Sequence, residues 1–327
     1  MKNKGSAPPA ISWQAIALST EVVKDHPIAR RNLNNEYVLF RNNNNEICTL
    51  ENRCAHRRAP LSLGRITPQG AIQCPYHGWT YEGRNGNCIQ IPNLSTSETI
   101  PQYQVSSFIT KEQHGLVYLW QGDSISASDK PPTSFSLDAK SLAGEGHRLI
   151  TLSHPSVIDT LLDSPSLLLK IDQVTLIDNH WMGEPTFDGR QLTVERVADW
   201  TRLAKKRQRI ASDFPLILRI QLDIQTSVAC IELLDEQNTP LVKTLFACQA
   251  VTPVVTAVFW RWIRPTINEK AYSKIAYSTY KKTSVAIAEQ VDPSALLAVH
   301  PYISSVLHHK IKPASALDRA RIEVSQS

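Results

Sequence analysis

From Trp13 to Gly122 the apolar positions fall in short runs separated by turn-forming residues, the pattern of strands rather than helices. "EYVLF" (Glu36–Phe40) and "EICTL" (Glu46–Leu50) flank "RNNNN", which predicts a hairpin. "GLVYLWQGD" (Gly115–Asp123) predicts a further strand, so this half is expected to be a small all-β domain. "SISASDKPPTSFS" (Ser124–Ser136) is rich in Ser and Pro and reads as a linker.

Beyond it the pattern changes. "LTVERVADWT" alternates, "ILRIQLDIQTSVACIELL" is a long β-like run, and "LVKTLFACQAVTPVVTAVFWRWI" reads as another pair of strands. Helical segments are expected at about 155–171, 270–290 and 294–308. The whole predicts an α+β chain. A loose tail spans 1–10, an all-β domain 11–123, a linker 124–136, and a domain with a large antiparallel sheet and flanking helices 137–327. There is no internal repeat.

Composition adds bounds. The 327 residues suffice for two domains with real cores, and 42% apolar with 20% charged residues is a globular balance. A net charge of +5 is mild and is no nucleic-acid signature. Six cysteines are too sparse for a secreted disulfide scaffold. The polar start "MKNKGSAPPA" has no apolar h-region, and no apolar run reaches about 18 residues. The expected compartment is therefore the cytoplasm, with no membrane span.

The chemistry concentrates in "CAHRRAPLSLGRITPQGAIQCPYHGW". Cys54 and His56 form C-x-H, Cys74 and His77 form C-x-x-H, and 17 residues separate His56 from Cys74. Two thiolates and two imidazoles suit tetrahedral zinc or a Rieske [2Fe–2S] cluster. Zinc modules usually pair Cys with Cys and His with His. One Cys and one His on each loop instead lets each loop touch both irons of a cluster. Cys48, Cys88, Cys230 and Cys248 read as buried structural thiols.

With "ENRCAHRRAPLSLG", "QCPYHGWTYEG", "IQIP" and "GLVYLWQGD", the chain resembles the Rieske non-haem iron oxygenases from Trp13 to about Asp123. The resemblance implies one [2Fe–2S] cluster held by Cys54, His56, Cys74 and His77, and a helix-grip-like C-terminal domain. Respiratory relatives carry a disulfide whose positions are here Ala59 and Tyr76, and a Ser hydrogen-bonding the cluster whose position is here Trp79. Fewer bonds to the sulfurs imply a potential near the bottom of the Rieske range. Arg57 and Arg58 are candidates for docking a ferredoxin or flavin reductase, or else exposed solubilising charges.

The resemblance also implies a mononuclear Fe(II) on two His and a carboxylate, with the helix pattern N-x-x-D-x-x-H-x4-H. The matching stretch is "TLLDSPSLLLKID". Thr160 stands in the Asn position, Asp163 in that of the Asp that bridges to a neighbouring subunit's cluster His, Ser166 in the first His position and Ile171 in the second. His154 is expected to cap a helix or lie at the surface, and His180 to lie in a loop. Asp292, then Glu289, are the candidate third carboxylates. The mononuclear iron is therefore expected to be absent, with no catalytic residue in this chain. The leading expectation is an electron-transfer subunit of a hetero-trimeric or hetero-hexameric oxygenase, whose partner subunit carries the iron and hydroxylates or demethylates an organic substrate. A complete oxygenase with an unusual ligand set, and a redox sensor or structural partner, are the alternatives.

Overall fold

The computed structural model describes residues 12–95, 98–122, 132–201, 216–272, 274–297, 302, 303 and 305. The expected tail 1–10 and positions 124–131 of the expected linker lie outside the described residues.

The N-terminal part is three antiparallel sheets. One pairs Ser12–Leu18 with Leu116–Gln121 and Thr110–Gln113. The second runs Ile28–Asn32, Asn35–Arg41, Ile47–Glu51, Ser107–Phe108. It contains the expected hairpin, with Tyr37 opposite Glu51 and Arg41 opposite Ile47. The asparagine turn closes on itself: the Asn42 side-chain oxygen accepts from the N–H groups of Asn44 and Glu46, both at 3.0 Å. Asn45 takes a φ of +62°, a left-handed conformation that asparagine tolerates. The third sheet, Arg65–Ile66, Ile72–Gln73, Thr80–Tyr81 and Cys88–Gln90, is small and carries the two Cys/His loops.

The C-terminal part is an eight-stranded antiparallel sheet. Its path is Leu142–Ile150, Val255–Ile263, Pro240–Thr252, Val228–Leu234, Leu216–Asp223, Gln191–Trp200 and Val174–Trp181, with Thr186–Phe187 paired to Gln191–Trp200. Both faces of its centre are covered, which explains the long apolar runs. In Val228–Leu234 every residue is buried. Val228 and Cys230 pack against Trp13, Leu116 and Trp120 of the N-terminal part. Ala229, Ile231 and Leu233 point the other way, into the core that holds Val157, Leu161 and Leu162. Gln191–Trp200 instead alternates buried and half-buried positions, with Leu192, Val194, Arg196, Ala198 and Trp200 inward.

Helix α1 (His154–Asp163) starts at the Ser153 N-cap, whose side chain accepts from the Ser156 N–H. The expected helix over 155–171 stops short. Ser164 turns out of the helix with φ −142° and ψ 62°, and Pro165 opens a separate short helix, α2 (Pro165–Leu168). Leu169–Ile171 is a strand, paired with Val285–Ile287, which itself interrupts the helix expected over 270–290. Two further helices among the described residues are Lys274–Tyr280 and Pro293–Leu297. Among the described residues no helix is long and apolar enough to cross a membrane.

A polar seam joins the two parts. Arg261, on the large sheet, donates to Glu145 at 2.6 Å and to the carbonyl of His114. Glu145 also accepts from Thr20 at 2.5 Å. Beside it, Glu21 pairs with Arg30 at 2.6 Å and with His147 at 3.2 Å.

Candidate metal centre and the second constellation

The two Cys/His loops close alike. The Cys54 N–H donates to the Ala59 carbonyl at 2.9 Å and the Cys74 N–H to the Trp79 carbonyl at 2.8 Å. The N–H four residues on, of Arg58 and of Gly78, donates back to the carbonyl of Cys54 and of Cys74. Those two residues also share a left-handed φ, +59° and +72°. Glycine takes it without cost; Arg58 is held there with its guanidinium 2.7 Å from Glu51. Gly64 lets the end of the first loop lie on the backbone before the second, because a Cβ there would stand 2.0 Å from the Gln73 carbonyl oxygen.

This geometry sorts the four side chains by type. Cys54 and Cys74 are buried and adjacent, close enough for their sulfurs to interact. His56 and His77 are exposed, with ring centroids 4.7 Å apart. Trp79 lies flat on His56, the planes 4° from parallel, and Tyr76 covers His77 at 3.8 Å. Burial pushes the Cys74 thiol up, and the Cys54 sulfur adds to this, while the backbone N–H groups of Tyr76 and His77 favour its thiolate. Desolvation, His77 and Arg57 push the His56 imidazole down, towards the neutral form a metal requires.

A pair of thiols beside a pair of imidazoles fits two irons, one ligated by sulfur and one by nitrogen. Among the described residues no three His, Cys, Asp or Glu side chains converge as a single ion would need. The two thiols on one side and the two imidazoles on the other are the pairing that a Rieske [2Fe–2S] cluster uses.

The Tyr81 hydroxyl stands 3.1 Å from the Cys54 sulfur and accepts from the Ala55 N–H at 3.1 Å. The sequence reading missed this contact. Trp79 stands at the position where the resemblance places a sulfur-bonding Ser. The sequence shows only a Tyr two residues beyond Trp79; its complete burial, which makes its hydroxyl need a partner, is a feature of the fold.

The second constellation gathers at the joint of α1 and α2. Asp163 is buried, and its Oδ1 accepts from the Ile303 N–H at 2.6 Å. The Ser166 hydroxyl donates to Asp178 at 2.5 Å and its N–H to the other oxygen of that carboxylate at 3.1 Å. Ile171 is a buried strand residue. A hydroxyl and a hydrocarbon therefore occupy the two positions where the resemblance calls for imidazoles, and this donor set does not fit a 2-His-1-carboxylate iron. The two candidate third carboxylates point elsewhere. Asp292 is exposed and accepts from Ser294, and Glu289 is exposed beside Arg148. His154 opens α1, and His180 sits in the strand Val174–Trp181 rather than in a loop. Asp163, Asp178 and His180 line one open cleft of about 630 Å³. Thr160 bonds back to the Ser156 carbonyl within α1.

Arg196, unremarked in the sequence reading, is 1% exposed beneath this cleft. Its Nε donates to the Asp178 carbonyl at 3.0 Å and its Nη2 to the Leu162 carbonyl. The inward alternation Leu192, Val194, Arg196, Ala198 was its legible signal: a charge in the register of a core face.

Residues 12–104 match the family of the Rieske [2Fe-2S] domain. The oxygenase component of chloroacetanilide N-alkylformylase from Rhizorhabdus wittichii (strain DC-6 / KACC 16600) is 35% identical over 159 residues, 46% of this chain and 43% of that protein. Chlorophyllide a oxygenase, chloroplastic, of Arabidopsis thaliana is 30% identical over 155 residues, 46% of this chain and 27% of that protein. The matches thus span less than half of the length of these relatives. The crystal structure of dicamba monooxygenase bound to dicamba superposes with a TM-score of 0.64 at 19% identity, covering 98% of this chain and 96% of that one. The shared fold therefore extends through the C-terminal sheet.

Proposed function

We propose that this chain, whose residues 12–104 match the Rieske [2Fe-2S] domain, is the electron-delivering subunit of a hetero-oligomeric Rieske non-haem iron oxygenase. Cys54 and Cys74 would hold one iron of a [2Fe–2S] cluster and His56 and His77 the other. Such a cluster supplies one-electron carriage. The division of the chain into 11–123 and 137–327 separates this task from a C-terminal domain that has given up its own mononuclear iron. The observation that carries the reading is the engagement of Ser166 with Asp178 and of Ile171 in a strand, where two imidazole ligands would be needed.

The chain's own residues prepare the site for transfer. The buried sulfurs sit away from water, and the exposed His56 and His77 reach the surface, where a partner subunit can approach. Tyr76 and Trp79 hold the imidazole planes. Arg57 and Arg58 are both exposed beside the first loop, Arg58 with its guanidinium 2.7 Å from Glu51, and are the cations we assign to docking an acidic ferredoxin or a flavin reductase. Asp163 was the expected bridge to a partner's histidine. It stays the candidate bridge: it lines an open cleft, and its Oδ1 accepts from the Ile303 N–H.

Iron counting on the purified full chain tests the reading: two irons per chain are expected. A third iron, together with substrate oxidation by this chain alone, would favour a complete oxygenase and overturn it. His77→Ala is expected to abolish turnover by the iron-bearing partner; unchanged turnover would leave only a sensor or structural role.

Tyr81 offers a finer test. A metal-bound thiolate has no proton, so the Tyr81 hydroxyl must be the donor to Cys54, stabilising the more negative, reduced state. Removing a hydrogen bond worth about 1 kcal/mol should lower the midpoint potential by roughly 40–50 mV. Tyr81→Phe, read by redox titration of the cluster's visible spectrum, is expected to shift it by that order with two irons retained. A rise in potential would contradict the assignment of the donor.

A further inference from the structure

The stretch that carries the two Cys/His loops has a one-sided charge balance. From Asn52 to Tyr81 there are four arginines, Arg53, Arg57, Arg58 and Arg65, and no Asp, Glu or Lys. This stretch therefore holds +4 of the chain's net +5. All four arginines are exposed. The fold fixes one of them beside each loop. On the first loop Arg57 directly follows His56, and Arg58 leans on Glu51 at 2.7 Å. Arg65 lies between the loops in sequence but is tied to the second. It stands opposite Gln73 in the small sheet, and its Nε donates to the Gln73 side-chain oxygen at 2.7 Å. The Gln73 amide in turn donates to the carbonyl of Gly78, the residue after His77, at 3.2 Å. The same loops expose apolar groups. Leu63, just before the glycine that lies on the Gln73 backbone, is 73% exposed, and Tyr76, which covers His77, is 62% exposed. Tyr and Arg are the residues in which protein-binding patches are enriched.

We infer that the face bearing His56 and His77 docks a one-electron carrier protein whose own redox centre is ringed by Asp and Glu carboxylates, with Arg57 and Arg65 as the cations on the two loops that receive it. This rests on the two-iron reading of the loops and deepens the docking assignment made above. It adds the second loop, through Arg65 and Gln73, and it commits to an acidic carrier. Charge complementarity carries that choice. A surplus of charge gathered on one stretch makes a local field that steers an oppositely charged partner, whereas an even scatter would only solvate the surface. Arginine at all four positions suits carboxylates, which a guanidinium meets with two parallel N–H bonds.

The test uses the full chain with its cluster oxidised and, as the probe, a reduced acidic plant-type ferredoxin. One electron passes, oxidising the ferredoxin and reducing the Rieske cluster, downhill by the ordinary potentials of the two cluster types. Rapid-freeze electron paramagnetic resonance follows the reduced Rieske signal. Arg57→Gln and Arg65→Gln are each expected to slow the second-order rate severalfold at low ionic strength, and together by about ten-fold. The differences should close near about 1 M salt, where the screening length is about 3 Å. Arg65→Lys keeps the charge and should restore most of the rate. Lys140→Gln removes an exposed charge from the C-terminal part and should leave the rate as in the wild type. An equal loss in Lys140→Gln, losses that persist at high salt, or Arg65→Lys as slow as Arg65→Gln overturns the inference. A rate that neither salt nor these arginines alter also overturns it and leaves a flavin reductase or the partner subunit as the occupant of this face. The reading beneath fails separately. A third iron per chain would remove the electron-delivering subunit and leave the salt dependence standing, whereas a wild-type chain without a [2Fe–2S] spectrum would remove both.

Discussion

Alanine at Cys54 or at Cys74 is expected to strip the chain of both irons and of its visible [2Fe–2S] spectrum, while alanine at Cys48 or Cys88 leaves both in place. All four thiols are buried in the same small core, so burial alone does not distinguish them. Position does. Cys54 and Cys74 begin the two matched loops and lie beside each other, with the histidine pair ahead of them. Cys48 faces Gly83 and Phe40 instead. Burial, then the carboxylates of Glu82 and Glu46, push its thiol up to about 11, which keeps it protonated and unsuited to ligation. Cys88 is the sterner control: its thiol feels the Cys54 sulfur but points to the Gln90 carbonyl at 3.6 Å. Iron analysis and absorbance of the four variants decide the matter. Loss of the spectrum in Cys88→Ala would mean that the ligand set is wrong. Because ligand binding is also folding energy, the two ligand variants should melt earlier than the two controls.

Gly115→Ala is expected to loosen the two halves of the chain from one another and to lower Tm by roughly 5–10 °C, two costs summed. Gly115 has a φ of +76°, which costs any residue with a Cβ about 1–2 kcal/mol. Its Cβ would also fall 1.4 Å from Nη1 of Arg261. The guanidinium would have to leave the His114 carbonyl, and with it the Glu145 carboxylate that it meets at 2.6 Å. Glu145 would then stay half-buried at the seam, with Thr20 still donating to it. Calorimetry should show the fall, and limited proteolysis should cut between the two parts earlier than in the wild type. A variant with unchanged Tm would show that Arg261 is free to move and that the seam is not held there. The cluster spectrum should survive, since the seam lies on a different sheet from the two Cys/His loops.

Much of the N-terminal part could be read directly, because its determinants are local. The asparagine hairpin closes within five residues, and each Cys/His loop closes by bonds from a cysteine to the residues four and five positions on. The strands of the large sheet were also legible. Runs buried on both faces read as continuous apolar segments, and Gln191–Trp200, with one covered face, read as an alternation. The helix over 155–171 was over-extended because Leu167, Leu168 and Leu169 look helical until Pro165 and the pairing of Leu169 with Ile287 are taken into account.

The sequence by itself determined that two Cys/His pairs face each other on short loops and that short strands precede a large antiparallel sheet. The tertiary structure decided what Ser166 and Ile171 pair with, and how the Cys54 sulfur is hydrogen-bonded. Tyr81 reaches Cys54 across 27 residues, Asp163 reaches Ile303 across 140, and Arg196 reaches Leu162 across 34. Residue type sets which groups can donate or accept. Whether a charge is buried, and which carbonyl or carboxylate compensates it, is settled only when distant strands and helices close over it and exclude water.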